Sequence, residues 1–361
     1  MAATVNHETW MAEALTEARR GTGFVSPNPR VGCVIVCNNS IVATGYHHVF
    51  GDIHAEVDAL RNFTGDASTA TMYVTLEPCA HDGKQPACTK AIITSGIKRV
   101  VVGIVDPNPI VSGRGIEMLR TNGIEVIVGV LEDECTWMNR WFIHHVLTGS
   151  SYVTLKVATS IDLGASAPMG SDRWISSAES RRVTHELRSE YDAVMIGIGT
   201  LHADDPFLNV RHVDGRDPIR LIVDPRCETS PTSNVASSAT SNRTIIFCHE
   251  EHANGGRANT LREKGIEIIS VSGSDQNLHP PAIAEAAGSR GISSILLEGG
   301  PQLAHSFLNE QCINEMVLHI APTFLGVEHV WFKKVNPATL TLHSCIAVGQ
   351  DVHITYTIGR S

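Results

Sequence analysis

The feature that most constrains the fold is the alternation of short apolar runs with segments of helical spacing. RVVVGIVD (Arg99–Asp106) and SILLEGG (Ser294–Gly300) are runs of the kind found in buried strands, and amphipathic or Gly-terminated helical stretches separate them from their neighbours. Strands alternating with helices impose a layered α/β architecture. In the first part of the chain, Trp10, Met11, Ala14, Leu15 and Ala18 fall on helical spacing, and Gly21 with Gly23 ends that segment. Segments 31–36 and 41–47 flank Asn38-Asn39-Ser40 and read as a β-hairpin. Helices are expected over 54–63, 88–96, RGIEMLRTNG and about 132–146, with strands at 72–78, 99–106 and EVIVGV between them.

A chain of 361 residues is long for one core, so two domains are expected. The small polar stretch LTGSS (Leu147–Ser151) marks the boundary, giving domains over 1–147 and 151–361. A second α/β series follows, with candidate strands YVTLKVATS, AVMIGIGT, IRLIVD, TIIFC, EIISV, SILLEGG, MVLHIAP and DVHITYTI. Helices are expected at 178–189, 281–289 and 302–309, and 228–242 reads as a polar loop. A net charge of −10 argues against broad nucleic-acid binding, since phosphate affinity needs clustered Lys and Arg. Nine scattered cysteines, an odd count, suit reduced thiols rather than a disulfide framework. With neither a signal-peptide pattern nor a spanning apolar run, a soluble cytoplasmic protein without membrane contact is expected.

The chemistry-bearing residues concentrate in His54-Ala55-Glu56 and in EPCAHDGKQPACTKAI (Glu77–Ile92). Zinc favours imidazole nitrogen and thiolate sulfur in a tetrahedron, and a catalytic site leaves one position for water. His54, Cys79 and Cys88 would supply three ligands, with two of the segments opening helices whose dipoles favour thiolate. Glu56, close to His54 but not a ligand, could shuttle protons, the H-x-E…P-C logic of zinc deaminases. Neither motif means much alone. A closed structural zinc completed by His81, and a zinc-stabilised binding protein, stay open on these residues. Eight residues separate the cysteines where the generic deaminase pattern has two, and His81 and Lys84 in that insertion could line the mouth of a site.

PNPRVGCVIV, HAEVDAL, TLEPCAHDGKQPACTKAI and DPNPIVSGRGIEML resemble the deaminase domain of the bifunctional riboflavin-biosynthesis deaminase/reductase family. The resemblance implies a cytidine-deaminase-like α/β/α domain with one Zn2+ on His54, Cys79 and Cys88 and Glu56 as catalytic proton shuttle. It also implies that Asn28, His47, His81 and Lys84 hold the substrate, a phosphoribosylated pyrimidine. Where the family has Thr-Pro-Pro-Cys, this chain has Gln85-Pro86-Ala87-Cys88, with the ligands intact.

In the second half, Glu298-Gly299-Gly300 follows an apolar strand and precedes a helix, a turn that lets phosphate approach backbone amides. MIGIGTLHADDPFLNVR is another Gly-rich strand end, followed by Asp204, Asp205 and Arg211; each stretch alone reads equally well as an ordinary turn or loop. Together with LKVATSID, RWISSAESRR and VLHIAPTFLG they resemble the reductase half of the same family. The resemblance implies a dihydrofolate-reductase-like α/β domain binding NADPH through Ala158, Trp174, Thr200, Asp204 and the turn Gly300, Pro301, Gln302, Leu303, Ala304, His305 and Ser306. It places Lys156, Arg188, Leu208, Arg211 and Glu298 against the substrate, with Arg188 and Arg211 as phosphate clamps. The chain departs from the family at Leu163, which replaces a turn Gly, at Asp172, which replaces a substrate-contacting Ser, and at Pro225, which cannot donate a hydrogen bond.

The expected function is therefore two consecutive steps of riboflavin synthesis, deamination and NADPH-dependent reduction, in a homodimer or homotetramer. The rivals are a deaminase whose second domain only binds or assembles, and a nucleic-acid deaminase, which the acidic charge disfavours.

Overall fold

The computed structural model describes residues 6–81, 86–109, 111–164, 174–274, 276–326, 330–332, 335–336 and 338–359. The chain divides into two compact units, Met1–Gly149 and Ser150–Ser361.

The first unit contains strands β1 (Gly32–Cys37), β2 (Ser40–Tyr46), β3 (Thr71–Leu76), β4 (Arg99–Ile104) and β5 (Glu125–Val128). Its helices are α1 (His7–Arg19), α2 (Ala55–Asn62), α3 (Cys88–Ser95), α4 (Arg114–Thr121), α5 (Glu132–Met138) and α6 (Arg140–Thr148). The strands form one sheet in the order β2-β1-β3-β4-β5, antiparallel around β1 and parallel from β3 to β5. Asn38 and Asn39 both take positive φ, 48° and 58°, as a two-residue hairpin turn requires. Gly32 pairs with Tyr46, so its neighbour across the hairpin, Gly45, faces the opposite side of the sheet. A Cβ on Gly32 would lie 2.0 Å from the Ala14 carbonyl of α1, and one on Gly45 2.3 Å from the Ala59 amide of α2. These two glycines thus seat a helix on each face, which makes the α/β/α layering.

One expected helix is two. The stretch 132–146 breaks at Asn139, with φ −106° and ψ 15°, between α5 and α6. Asn139 is buried, and its amide turns to the backbone of Arg30, accepting from the Arg30 N–H at 2.8 Å and donating to the Arg30 carbonyl at 3.0 Å. A helix passing straight through would lose that bridge.

The second unit contains β6 (Tyr152–Ser160), β7 (Ala193–Gly197), β8 (Ile219–Val223), β9 (Thr244–Cys248), β10 (Glu267–Ser270), β11 (Ser294–Leu297), β12 (Glu315–Ala321), β13 (Leu340–Val348) and β14 (Asp351–Ile358). Its helices are α7 (Ala178–Glu190), α8 (Ile198–Asp204), α9 (Asn234–Ser237), α10 (Glu250–Ala253), α11 (Gly256–Glu263), α12 (Pro280–Gly288) and α13 (Pro301–Asn309). The sheet runs β10-β9-β8-β7-β11-β6-β12-β14-β13, parallel up to β12 and antiparallel beyond it. Successive residues of β7 enter different cores: Ala193 and Met195 on one face, Val194 and Ile196 on the other. Two-sided burial is why these strands read as continuous apolar runs.

The expectations change here, and α10 and α11 are helices that the expected list lacks. The strand AVMIGIGT stops at Gly197, and Ile198 opens α8. The polar stretch 228–242 contains α9, capped by Ser233 and anchored by buried Val235 and Ala236. β13 is an additional edge strand.

Candidate functional site

His54 is the N-cap of α2 and Cys88 the first residue of α3, so two helix N-termini converge where the segment after β3 brings in Cys79. His54 Nδ1 lies 3.1 Å from Cys88 Sγ and 3.6 Å from Cys79 Sγ. The three donor atoms fall within 4.8 Å of one another. Tetrahedral zinc with ordinary Zn–S and Zn–N bonds needs N···S edges of about 3.6 Å, so this donor set fits the ion. The Cys79 thiol is pushed down to about 4, first by its hydrogen bond with Cys88 and then by that with His54, against the cost of burial. The same thiol–thiol contact, followed by burial, pushes Cys88 the other way.

Beside the cluster is a cavity of about 400 Å³ lined by Asn28, His47, His54, Glu56, Cys79 and His81, with Phe50, Asp106, Asn108 and Phe142 among its other walls. Glu56 is 3% exposed, and burial, reinforced by the charge of Cys79, raises its carboxyl to about 7. Such a group can take up or release a proton near neutrality. His47 sits 2.9 Å from the Ile53 carbonyl through Nδ1 and 3.1 Å from Asn28 Nδ2 through Nε2. A carbonyl only accepts and an amide NH2 only donates, so the proton is on Nδ1 and the ring is neutral. Burial also lowers its pKa. His81 is exposed at the rim, and Lys84 lies outside the described residues.

The second unit has a cavity of about 310 Å³ at the ends of β7, β8 and β11. Thr200, Asp204, Gly300, Pro301, Gln302, Leu303 and Ser306 line it, as do Pro225, Gln276 and Asn277. Gly300 caps α13, and its N–H donates to Thr200 Oγ1 at 3.2 Å. Backbone amides at the start of α13 and a glycine-lined wall suit a dinucleotide pyrophosphate. The other expected cofactor residues lie apart from this lining. Ala304 packs into the core, and His305 Nε2 lies 3.3 Å from the Trp331 carbonyl. The Ala158 carbonyl accepts from Trp331 Nε1 at 3.2 Å. Trp174 is 54% exposed, under the guanidinium of Arg181.

Arg188 does not hold its fork open. Its Nε and Nη2 donate to the two oxygens of Glu298 at 2.7 and 2.9 Å, and both side chains are nearly buried. Coulombic attraction and hydrogen bonding from Arg188 outweigh burial and lower the Glu298 carboxyl. Lys156 feels the same carboxylate, while burial lowers its ammonium. Arg211 is exposed, with Nη1 on Asn209 Oδ1 at 2.8 Å, and its backbone N–H donates to His185 Nδ1 at 3.0 Å. Leu208 is buried in the apolar cluster of one sheet face. Leu163, at the departure from the family turn, has φ +60°, and Asp172 lies outside the described residues.

Residues 4–104 match the cytidine and deoxycytidylate deaminase zinc-binding region, and residues 151–354 match the RibD C-terminal domain. The riboflavin biosynthesis protein RibD of Aquifex aeolicus is 41% identical over 320 residues, covering 88% of each chain. The chain belongs to the RibD family. RibD of Escherichia coli (strain K12) is 35% identical over 332 residues, again 88% of each. Among solved structures, Acinetobacter baumannii RibD superposes with a TM-score of 0.86 at 33% identity, covering 98% of this chain and 99% of that one. A Thermotoga maritima diaminohydroxyphosphoribosylaminopyrimidine deaminase/5-amino-6-(5-phosphoribosylamino)uracil reductase gives the same TM-score, identity and coverage. As a RibD-family protein the chain is a bifunctional enzyme of riboflavin biosynthesis, a zinc-dependent deaminase joined to an NADPH-dependent reductase. The match over 151–354 leaves the deaminase-only reading without support.

Sequence reasoning passed over Glu77, Asp106, Asn108 and Asn139. The first three sit inside quoted motifs, EPC and DPNP, whose lettering was a usable signal. Asn139 had none.

Proposed function

We propose that the unit Met1–Gly149 deaminates 2,5-diamino-6-(5-phosphoribosylamino)pyrimidin-4(3H)-one to 5-amino-6-(5-phosphoribosylamino)uracil, and that Ser150–Ser361 reduces the ribosyl group of that product to ribityl. The observation that carries the first half is the meeting of a three-donor zinc cluster with a buried, proton-holding Glu56 on one cavity. His54, Cys79 and Cys88 would hold the zinc, which supplies Lewis acidity to a water molecule. Glu56 would take the attacking water's two protons in turn, passing the first to the ring nitrogen and the second to the departing amine, so that ammonia leaves. Neutral His47, fixed from both sides by Ile53 and Asn28, orients the pyrimidine with His81 at the phosphoribosyl side, and the family resemblance assigns Lys84, outside the described residues, to the same substrate. NADPH would lie along Thr200, Asp204 and the Gly300–Leu303 turn, and it supplies the hydride of the second step. Exposed Arg211 meets the substrate phosphate, whereas Arg188 keeps Glu298 ionised and in place beside Lys156.

The nine cysteines, none in a disulfide, support a reducing, cytoplasmic setting, and a homodimer or homotetramer fits the family resemblance. No helix among the described residues is long and apolar enough to cross a membrane. Glu56→Gln tests the deaminase assignment: zinc content should match the parent, and ammonia release should fall by at least 100-fold. Ammonia release at the parent rate would remove Glu56 from the reaction.

A further inference from the structure

Glu77 of the EPC motif has no part in the chemistry above, yet its carboxylate accepts four backbone hydrogen bonds. It is 5% exposed, and both its oxygens are spent on backbone amides. Oε1 accepts from Gly115 and Ile116 at 2.8 and 3.2 Å, and Oε2 from Asp106 and Gly113 at 3.0 and 2.9 Å. Gly113 is the N-cap of α4, so the carboxylate meets free amides at the positive end of that helix. A Cβ on Gly115 would lie 2.0 Å from the Pro78 carbonyl, so α4 begins hard against the segment that leads into Cys79. The fourth amide, that of Asp106, opens the loop whose Asp106 and Asn108 form a wall of the 400 Å³ cavity. Asp106 Oδ1 in turn accepts from the Asn108 N–H at 2.8 Å, which fixes the next residue of that wall.

We propose that Glu77 is a positioning residue for deamination: one carboxylate locks the Asp106–Asn108 wall of the cavity to the Pro78–Cys79 segment, and so sets the distance between the pyrimidine's contacts and the proposed metal centre. This rests on the deaminase reading above. Glu77 is on the cavity wall, but both its oxygens are taken up by backbone amides, so it acts through the two elements that it joins. Gln in its place would leave one oxygen for two of the amides and turn an NH2 toward the other two, so half of the lock is lost while the side chain's size is kept.

The test is Glu77→Gln in the full chain, with zinc content, ammonia release from the diaminopyrimidine substrate, and NADPH oxidation on separately supplied deaminated product. The expected result is a KM for deamination raised at least tenfold, with zinc content and the reductase rate at parent values. An unchanged KM overturns the proposal. So does loss of zinc or of the folded unit in the variant, which would make Glu77 a residue of stability. Hydrogen exchange on the parent protein gives a second arm without a variant. The amides of Asp106, Gly113, Gly115 and Ile116 should be protected like those of β4, and exchange at loop rates would refute the lock. If the parent releases no ammonia, the deaminase reading fails first, and the two failures stay distinct.

Discussion

Asn139→Ala tests the fold argument without altering any residue of the cluster. Asn139 is 1% exposed, and its amide satisfies both backbone groups of Arg30. Alanine removes two hydrogen bonds and takes the Asn139 partner from the half-buried Arg30 N–H and carbonyl. At about 1–2 kcal/mol for each group left unmet, the loss is about 2–4 kcal/mol. For a unit of this size that corresponds to a melting temperature lower by roughly 5–15 °C. Arg30 lies two residues from Asn28, which donates to the Nε2 of His47, so the perturbation reaches the cavity. Urea unfolding of the first unit should report the loss as a lower midpoint at unchanged slope, and the KM for deamination should rise several-fold with zinc retained. A variant within about 0.5 kcal/mol of the parent, below the worth of even one such bond, would refute the reasoning.

Two other changes bear on the second unit. Leu163 holds φ +60°, where a side chain costs about 1–2 kcal/mol. Leu163→Gly should therefore raise stability by up to about 1 kcal/mol after the glycine's greater unfolded-state entropy, and Leu163→Val should lower it; equal unfolding midpoints for the two variants would contradict this. Burial holds His353 at about 4 and, with Arg188 and Arg211 adding to it, His185 at about 4 as well. A folded-state value below the unfolded one means the unfolded chain binds the extra proton, so this stability is complete above pH 6.5 and is lost as pH falls toward 4. The urea midpoint of the second unit should fall between pH 7.5 and pH 5 by an amount worth about 1–2 kcal/mol per histidine, and a flat midpoint over that window would show that neither ring is held neutral.

Local signals carried most of the architecture. The Asn38-Asn39 turn and the two-sided apolar strands each depend on neighbours within a few residues. The meeting of His54, Cys79 and Cys88 was legible because these residue types are rare in combination and their chemistry is specific. What stayed hidden depends on distant partners. Asn139 breaks a helix through a residue 109 positions away, and Glu77 finds its amides 29 to 39 positions on. β13 escaped notice because it is an edge strand bonded to β14 alone, with Leu342 and Ile346 more than half exposed, so it shows no buried stripe. Arg188 reads as a phosphate clamp in the sequence. Its carboxylate partner is 110 positions away, and only the fold shows that the fork is filled.

The central claim is that one chain performs both steps. Purified protein with zinc should be given the diaminopyrimidine substrate and NADPH, and ammonia and NADPH followed together in one cuvette. One ammonia released for each NADPH oxidised, with no NADPH loss when the substrate is withheld, is the predicted result. Ammonia release without NADPH oxidation, even when the deaminated product is supplied directly, would contradict the account.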